Sequence, residues 1–596
     1  MSMTRIFDIL DLYRVNYADK EVAFARKVDT NWITYSSKDY LEMVELLSLG
    51  FLALGVNKGD KIGTITTNRP EWNFMDMSLA QVGAIHVPIY PTLSDSDHEF
   101  IFKHAEIRML FISDKLLLDK LMPSIIKVNL ADQVYTFNQI EGVKNWKEIA
   151  EIGKGKRDEF GQMLQDRKDG IKTEDLLTII YTSGTTGNPK GVMLSHKNLL
   201  SNSMTTGKML PLNDTHRALS FLPLCHVYER MMVYNFQLNG VSIYYVENLA
   251  KIGEFIKEIK PHVFNTVPRL LEKVYDSIIA KGKDLSGIKK FLFFWAVRIG
   301  KSYDIHKNQG WYYNQRLKIA RKLIFSKWRA GLGGSVNLIV SGGSALQTRL
   351  QRIFWAAEMP IYEGFGLTES SPVIAVNDPT NTDNVMFGTV GPALPGVTIK
   401  LAEDGEILAK GDGIMMGYYK DEAQTNEVID KDGWLHTGDI GVMVEGRFLK
   451  ITDRKKEIFK ISSGKYIAPQ VIENIFKESP FIEQLIVVGE NQKFASAIIS
   501  PSFNTLHFWA AKHKIHYHTN SDLISKPELI SRIQKEVSHL NKRLGSTEQI
   551  KKFRLVADEW SPVTGELSQT LKLKRKLVKA TYDHLIKDIY AFEDKD

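Results

Sequence analysis

The sequence predicts an α/β fold. A large body of α/β subdomains plus a small β subdomain is expected, in a chain long enough for further subdomains. Three observations carry this. Short apolar runs alternate with helical patterns along the first half of the chain, the signature of a largely parallel sheet. A glycine-rich, strand-like tract spans residues 388–443. At 596 residues the chain exceeds what one hydrophobic core normally organises.

Taken in order, residues 61–65 read as a strand, 71–82 as a helix after Arg69-Pro70, and 83–89 as the next strand. Residues 145–172 are charged and punctuated by glycine, so a loop-rich connection is expected there. The run 176–180 is apolar and reads as a buried strand. Further strands are expected at 240–246, 261–267 and 336–340, and Pro268 is placed to open a helix. Tyr313, Leu317, Ala320, Ile324 and Trp328 fall on one helical seam.

The strand at 176–180 runs into Tyr-Thr-Ser-Gly-Thr-Thr-Gly-Asn-Pro-Lys-Gly at 181–191. Glycines let successive backbone N–H groups turn inward and form an anion-binding nest. Thr182, Ser183, Thr185 and Thr186 add hydroxyls around Gly184 and Gly187, and Lys190 adds a point charge. Such a loop suits a polyphosphate. It is not a Walker loop, because Gly184 and Gly187 are three apart and Lys190 is followed by glycine.

Composition narrows the setting. The chain is 43% hydrophobic and 25% charged, as soluble globular proteins are. Its single cysteine, Cys225, forbids an intrachain disulfide. No apolar run approaches membrane-spanning length, and the N-terminus lacks a signal-peptide h-region, so a cytoplasmic location is expected. The net charge of +7 is unevenly spread. Residues 281–330 hold 13 Lys/Arg against 2 Asp/Glu, and residues 455–596 hold 23 against 17. The remainder is acidic overall. Two basic regions on an acidic body argue for local anionic partners rather than nucleic acid. The aromatic, basic stretch 281–330 suits either peripheral contact with an anionic membrane surface or an ordinary helix with a solvated basic face.

The loop at 181–191 resembles the phosphate-binding signature of the adenylate-forming superfamily, and later segments match that family's motifs in order. Phe221 to Arg230 resembles its Pro-Leu-x-His motif, which implies His226 and Tyr228 beside an acyl carboxylate. Arg230, Met231 and Met232 stand where some fatty-acyl members carry a tryptophan gate. Gly342, Gly343 and Ser344, with Glu363, Gly364, Phe365 and Gly366, resemble the adenine pocket. The resemblance then implies Thr368 at the α-phosphate and Glu369 as the Mg²⁺ carboxylate. Asp439 matches the ribose aspartate, Arg454 the ribose side, and Lys456 the pivot of the family hinge. Gly464 lies in the loop that enters the site for thioester formation, and Lys572 aligns with the lysine needed for adenylation. Lys574, Arg575 and Lys576 are expected to be solvated or at a CoA phosphate.

What the resemblance implies is an acyl-CoA synthetase/luciferase-like architecture. The resemblance implies a large N-terminal body over residues 1–454 and a smaller, mobile α+β C-terminal domain over 455–596. The implied reaction is ATP-dependent activation of a carboxylate, most like the bacterial long-chain fatty acyl-CoA synthetases, with CoA as co-substrate and release of pyrophosphate and AMP. Loading of a carrier-protein thiol, luciferase-like oxidation and non-catalytic acyl binding at a membrane remain open at this point. So do the acid's chain length and the choice between a monomer and a homodimer.

Overall fold

The computed structural model describes residues 3–182, 188–568 and 571–591. Two large sheets build the body. The first runs, across its width, through strands Val373–Val376, Ile361–Gly366, Leu338–Ser341, Val263–Thr266, Arg217–Ser220, Ser242–Tyr245, Phe24–Val28 and Asn31–Tyr35. Its six inner strands are parallel and only the two edges pair antiparallel. The second runs through Gly417–Tyr418, Lys190–Ser195, Leu176–Thr182, Ile85–Pro88, Lys61–Ile65, Ile107–Ile112 and Val134–Thr136. Strand Leu176–Thr182 is the last parallel member, and Lys190–Ser195 returns antiparallel beside it. Thr182 and Lys190, the ends of these two strands, pair across the hairpin, and the short strand Gly417–Tyr418 closes the edge beyond it.

Helices Glu71–Val82 and Val227–Leu238 pack into one core cluster shared by strands of both sheets. Every residue of Glu71–Val82 is buried. That explains why its pattern lacks a polar face. Residues 145–172 correct the expectation of a loop-rich connection: they form helices Trp146–Gly155 and Arg157–Asp169. Asn145 and Glu148 close a capping box, and Trp146, Ile149, Ala150 and Gly153 make one buried stripe. Glycine is what lets that stripe reach helix Ser37–Ala53. A Cβ on Gly153 would stand 1.9 Å from the Leu46 carbonyl oxygen, and one on Gly50 2.0 Å from that of Ile149. The glycines are there for close packing rather than for a turn.

The glycine-rich tract forms the expected small β subdomain, an antiparallel sheet of Thr398–Leu401, Glu406–Lys410, Leu435–Val444 and Phe448–Arg454. Beyond Arg454 comes a turn and then a separate core, with strands Ile482–Val488, Ser496–Pro501 and Lys552–Leu555 in one sheet. Among the described residues, no helix is long and apolar enough to cross a membrane.

Region 281–330 divides differently from its sequence pattern. Leu317, Ala320, Ile324 and Trp328 face the core, joined by Phe325 through a π-helical turn at Arg321–Phe325. The seam at 313–328 is therefore a packing seam. The exposed apolar residues are others: Ile288, Phe291, Trp311, Tyr312, Ile319 and Leu323.

Candidate active site

The C-terminal ends of the parallel strands of the first sheet, the hairpin of the second and the small β subdomain converge. Thr182 and Lys190 face each other across the hairpin. Ser183, Gly184, Thr185, Thr186 and Gly187 lie outside the described residues. The Lys190 ammonium stands 5.0 Å over the Tyr418 ring, and the Tyr418 hydroxyl donates to Glu369 Oε1 at 2.9 Å. Burial and the facing Glu369 push the Tyr418 phenol far above its ordinary value, so it stays a donor. Thr368 and Glu369 occupy a short 3-10 turn, Thr368–Ser370, directly after strand Ile361–Gly366. Gly366 is required there: a Cβ would sit 1.7 Å from the Pro372 carbonyl oxygen.

The adenine-type segments lie together. Leu338–Ser341 pairs with Ile361–Gly366, and the buried Glu363 carboxylate accepts the Leu346 N–H at 2.9 Å. Burial raises Glu363 to about 8, so it is largely neutral at pH 7. Gly342 lies against the Tyr228 ring, 3.2 Å from where its Cβ would be, while Gly343 has φ +85° and Ser344 is exposed. Gly364 and Phe365 continue the strand toward Thr368.

His226 caps helix Val227–Leu238, its Nδ1 accepting the Tyr228 N–H at 3.2 Å. Burial, with Lys572 facing it, lowers its pKa to about 4, so the imidazole is neutral. The Tyr228 hydroxyl donates to the Val340 carbonyl at 3.1 Å, tying this helix to the strand that leads into Gly342. Arg230 is no gate. It is fully buried, donating to Asp76 at 2.5 Å, to Thr178 at 2.7 Å and to the Tyr234 hydroxyl at 2.8 Å. Asp76 also holds Tyr234 at 2.5 Å and His86 at 2.7 Å. Thr178 is on the strand that leads into the phosphate-type loop, so one buried ion pair links both sides of the site.

Asp439 pairs with Arg454 across the small sheet, carboxylate to guanidinium at 3.2 Å. Burial raises its pKa, against the pull of Arg454 and Lys572. Lys456 is exposed in the turn that follows Arg454. Lys572 comes from the far end of the chain. Its backbone closes a short turn with Ser568, accepting at 2.7 Å and donating to the Ser568 hydroxyl at 3.0 Å. Its side chain reaches the same cleft and retains exposed surface there, facing Arg454, Asp439, Glu369 and Glu457. Crowding by protein, then Arg454, lowers it to about 8, while the three carboxylates hold it up. Gly464 sits elsewhere. It lies at φ +79° in the turn of the small hairpin Phe459–Lys460 and Tyr466–Ile467, with open space around it.

Arg575 corrects an expectation. It bridges Glu457 and Glu473, each at 2.5 Å, and is neither solvated nor free to meet a phosphate. It fixes the start of the helix after Lys572 to the segment just past Lys456. Tyr418 and Asp76 were missed by motif reading. They lie 49 and 154 residues from the partners they hold, Glu369 and Arg230, and no spacing rule connects them. For Mg²⁺, no cluster of three acidic, histidine or cysteine side chains exists among the described residues. One hard carboxylate beside a phosphate loop nevertheless fits an ion that usually takes one or two carboxylates and completes its shell with phosphate oxygens and water.

Comparison with known proteins shows the family and the fold. The AMP-binding enzyme model matches residues 14–419, and the AMP-binding enzyme C-terminal domain model matches 456–594. The peroxisomal long chain acyl-CoA synthetase 7 of Arabidopsis thaliana is 34% identical, covering 94% of this chain and 82% of that protein. The long-chain-fatty-acid–CoA ligase FadD15 of Mycobacterium bovis is 30% identical, covering 96% and 95%. Among solved structures, the adenylation domain of a carboxylic acid reductase from Segniliparus rugosus, with AMP and a co-purified carboxylic acid, superposes with a TM-score of 0.73. It is 19% identical, covering 98% of this chain and 94% of that one, and so speaks to the fold. The chain belongs to the AMP-binding enzyme family.

Proposed function

We propose that this protein is a long-chain fatty acid–CoA ligase that forms an acyl-adenylate from ATP and then a thioester with CoA. The observation that carries the reading is Lys572, brought from the C-terminal domain to face Glu369 and Asp439 of the body. The sequence relatives named long-chain acyl-CoA synthetases or ligases support the substrate class. In the first step a carboxylate attacks the α-phosphorus and pyrophosphate leaves. Two anions must meet, so positive charge has to offset their repulsion. Lys190, Thr182 and the hydroxyls and glycines at 183–187 would hold the phosphates, and Lys572 would neutralise charge developing at the α-phosphate. Thr368 would donate to the same phosphate. Mg²⁺ held by Glu369 would supply further neutralisation there.

Asp439 would accept the ribose hydroxyls with Arg454 beside them, and 342–344 with 363–366 would flank the adenine. Neutral His226 and Tyr228 would border the acyl carboxylate without adding another negative charge. In the second step the CoA thiol displaces AMP. We place the domain boundary at 454/455 and the pivot at Lys456, so that residues 457–596 turn and exchange Lys572 for the Gly464 loop. The separate core beyond Arg454 and the exposed turn at Lys456 support this division.

Two variants test it, using ATP and palmitate. Lys572→Ala should abolish ATP–pyrophosphate exchange while sparing thioester formation from supplied palmitoyl-AMP and CoA. Gly464→Leu should do the reverse. Equal loss of both half-reactions in both variants defeats the alternation. Cleavage of ATP to ADP, or no ATP use with any acid from acetate to oleate, defeats the ligase reading.

We further infer a cytoplasmic enzyme whose 281–330 region touches an anionic membrane. Exposed Ile288, Phe291, Trp311 and Tyr312 among lysines support it. Arg316, stacked at 5.6 Å on Trp295 and 5.4 Å on Tyr312, joins the two helices that carry them. Binding to vesicles containing phosphatidylserine should fall with salt and with Phe291→Glu/Trp311→Glu. Equal binding in that variant removes the contact.

A further inference from the structure

Helix Pro268–Lys283 of the body faces the C-terminal domain with a line of charges. Arg269 forms an ion pair with Glu483, which lies on strand Ile482–Val488 of that domain. The same guanidinium donates to Glu272 at 2.8 Å, and Glu272 accepts from Gln347 Nε2 at 2.8 Å. Gln347 follows Leu346, whose N–H is held by Glu363 in the adenine-type segment. From the domain side Lys477 faces Glu272, and Glu559 faces Lys273. Lys477 also faces Glu473, the residue that Arg575 clamps beside Lys572. The charges on the body and those on the domain alternate in sign, and both Arg269 and Glu272 are largely buried.

We propose that Arg269 and Glu483 are positioning residues for Lys572: their ion pair holds the C-terminal domain in the orientation that delivers the lysine to the adenylation site. This rests on the two-step ligase reading. The geometry favours a latch over mere surface decoration. A partly desolvated pair between two rigid elements is screened less than an exposed one and fixes register. It also joins two bodies whose only covalent link is the turn after Arg454. Since neither residue is among the groups that face Lys572, their loss should change how often Lys572 is delivered and leave the chemistry itself intact. In an equilibrium between two orientations, weakening one contact made in only one of them shifts the population toward the other.

The test is a double-mutant cycle on the full chain with Arg269→Met, Glu483→Met and both together. ATP–pyrophosphate exchange with palmitate should fall roughly 5- to 20-fold in each single variant, the loss of about 1–2 kcal/mol of interfacial pairing. The double variant should fall no further than either single. Thioester formation from supplied palmitoyl-AMP and CoA should stay within twofold of the parent. In parallel, trypsin cleavage at the exposed turn of Lys455 and Lys456 should accelerate in each variant, a readout that needs no activity. Unchanged exchange and cleavage, an additive double variant, or equal loss of both half-reactions overturns the latch. If the parent chain shows no exchange with any acid, the ligase reading falls, and the cleavage rates alone then decide whether the latch exists.

Discussion

Asp76 offers the sharpest test of how the body is held together. It sits with 1% of its surface exposed, and accepts from Arg230, Tyr234 and His86 at 2.5, 2.5 and 2.7 Å. Burial lowers the pKa of His86, so the histidine is neutral and the charge that balances Asp76 is that of Arg230. Asp76→Asn keeps the shape and an acceptor oxygen but leaves the guanidinium as an unpaired buried charge. Breaking a buried pair on one side typically costs about 3–5 kcal/mol. That is a fifth or more of the roughly 5–15 kcal/mol that holds an ordinary domain folded. Arg230→Met alone should cost a similar amount, since it strands the carboxylate. Together the two changes leave no unpaired charge, and the double variant should be less damaged than the sum by at least about 2 kcal/mol. Urea unfolding of the body can be followed by the fluorescence of Trp72, whose ring lies 5.4 Å from the Arg230 guanidinium. Additive losses, or a loss below about 1 kcal/mol in Asp76→Asn, would refute the reasoning.

Three further outcomes are expected. His196 is 2% exposed and burial lowers its pKa from 6.5 to about 4. The unfolded chain therefore takes up its proton first, and stability present above pH 6.5 should fall by about 3 kcal/mol as pH drops to 4, a slope that His196→Asn should flatten in acid unfolding curves. The Lys572 ammonium, lowered to about 8, should put an alkaline limb near pH 8 on kcat/KM for adenylation, measured by pyrophosphate release, and any activity kept by Lys572→Arg should lack that limb. Gly153→Ala should destabilise the body by about 1–3 kcal/mol in thermal unfolding, because its Cβ meets the Leu46 carbonyl.

The alternating apolar runs were enough to name the fold class, the strand at 61–65 and the helix at 71–82, and the ordered motifs marked the candidate site residues. Periodicity and turn chemistry are local, so a single sequence displays them. Residues 145–172 were misjudged because charge and glycine suggested a loop. The buried stripe through Trp146, Ile149 and Gly153 only has meaning once helix Ser37–Ala53 lies against it. The same limit applies to the seam at 313–328: an apolar stripe looks alike whether it meets a core or a membrane, and only packing assigned it to the core.

The sequence by itself marked the loop at 181–191, Glu369, Asp439 and Lys572 as candidates to meet a nucleotide, because each sits in a distinctive local context. Tertiary structure alone decided what holds them in register. Tyr418 on Glu369, Arg230 between Asp76 and Thr178, Arg575 between two glutamates, and Arg269 on Glu483 are contacts between elements far apart in the chain. Their physical reason is common to all four. A polar or charged group is tolerated away from bulk water only where a partner arrives to satisfy it, and the partner's arrival depends on folding rather than on spacing.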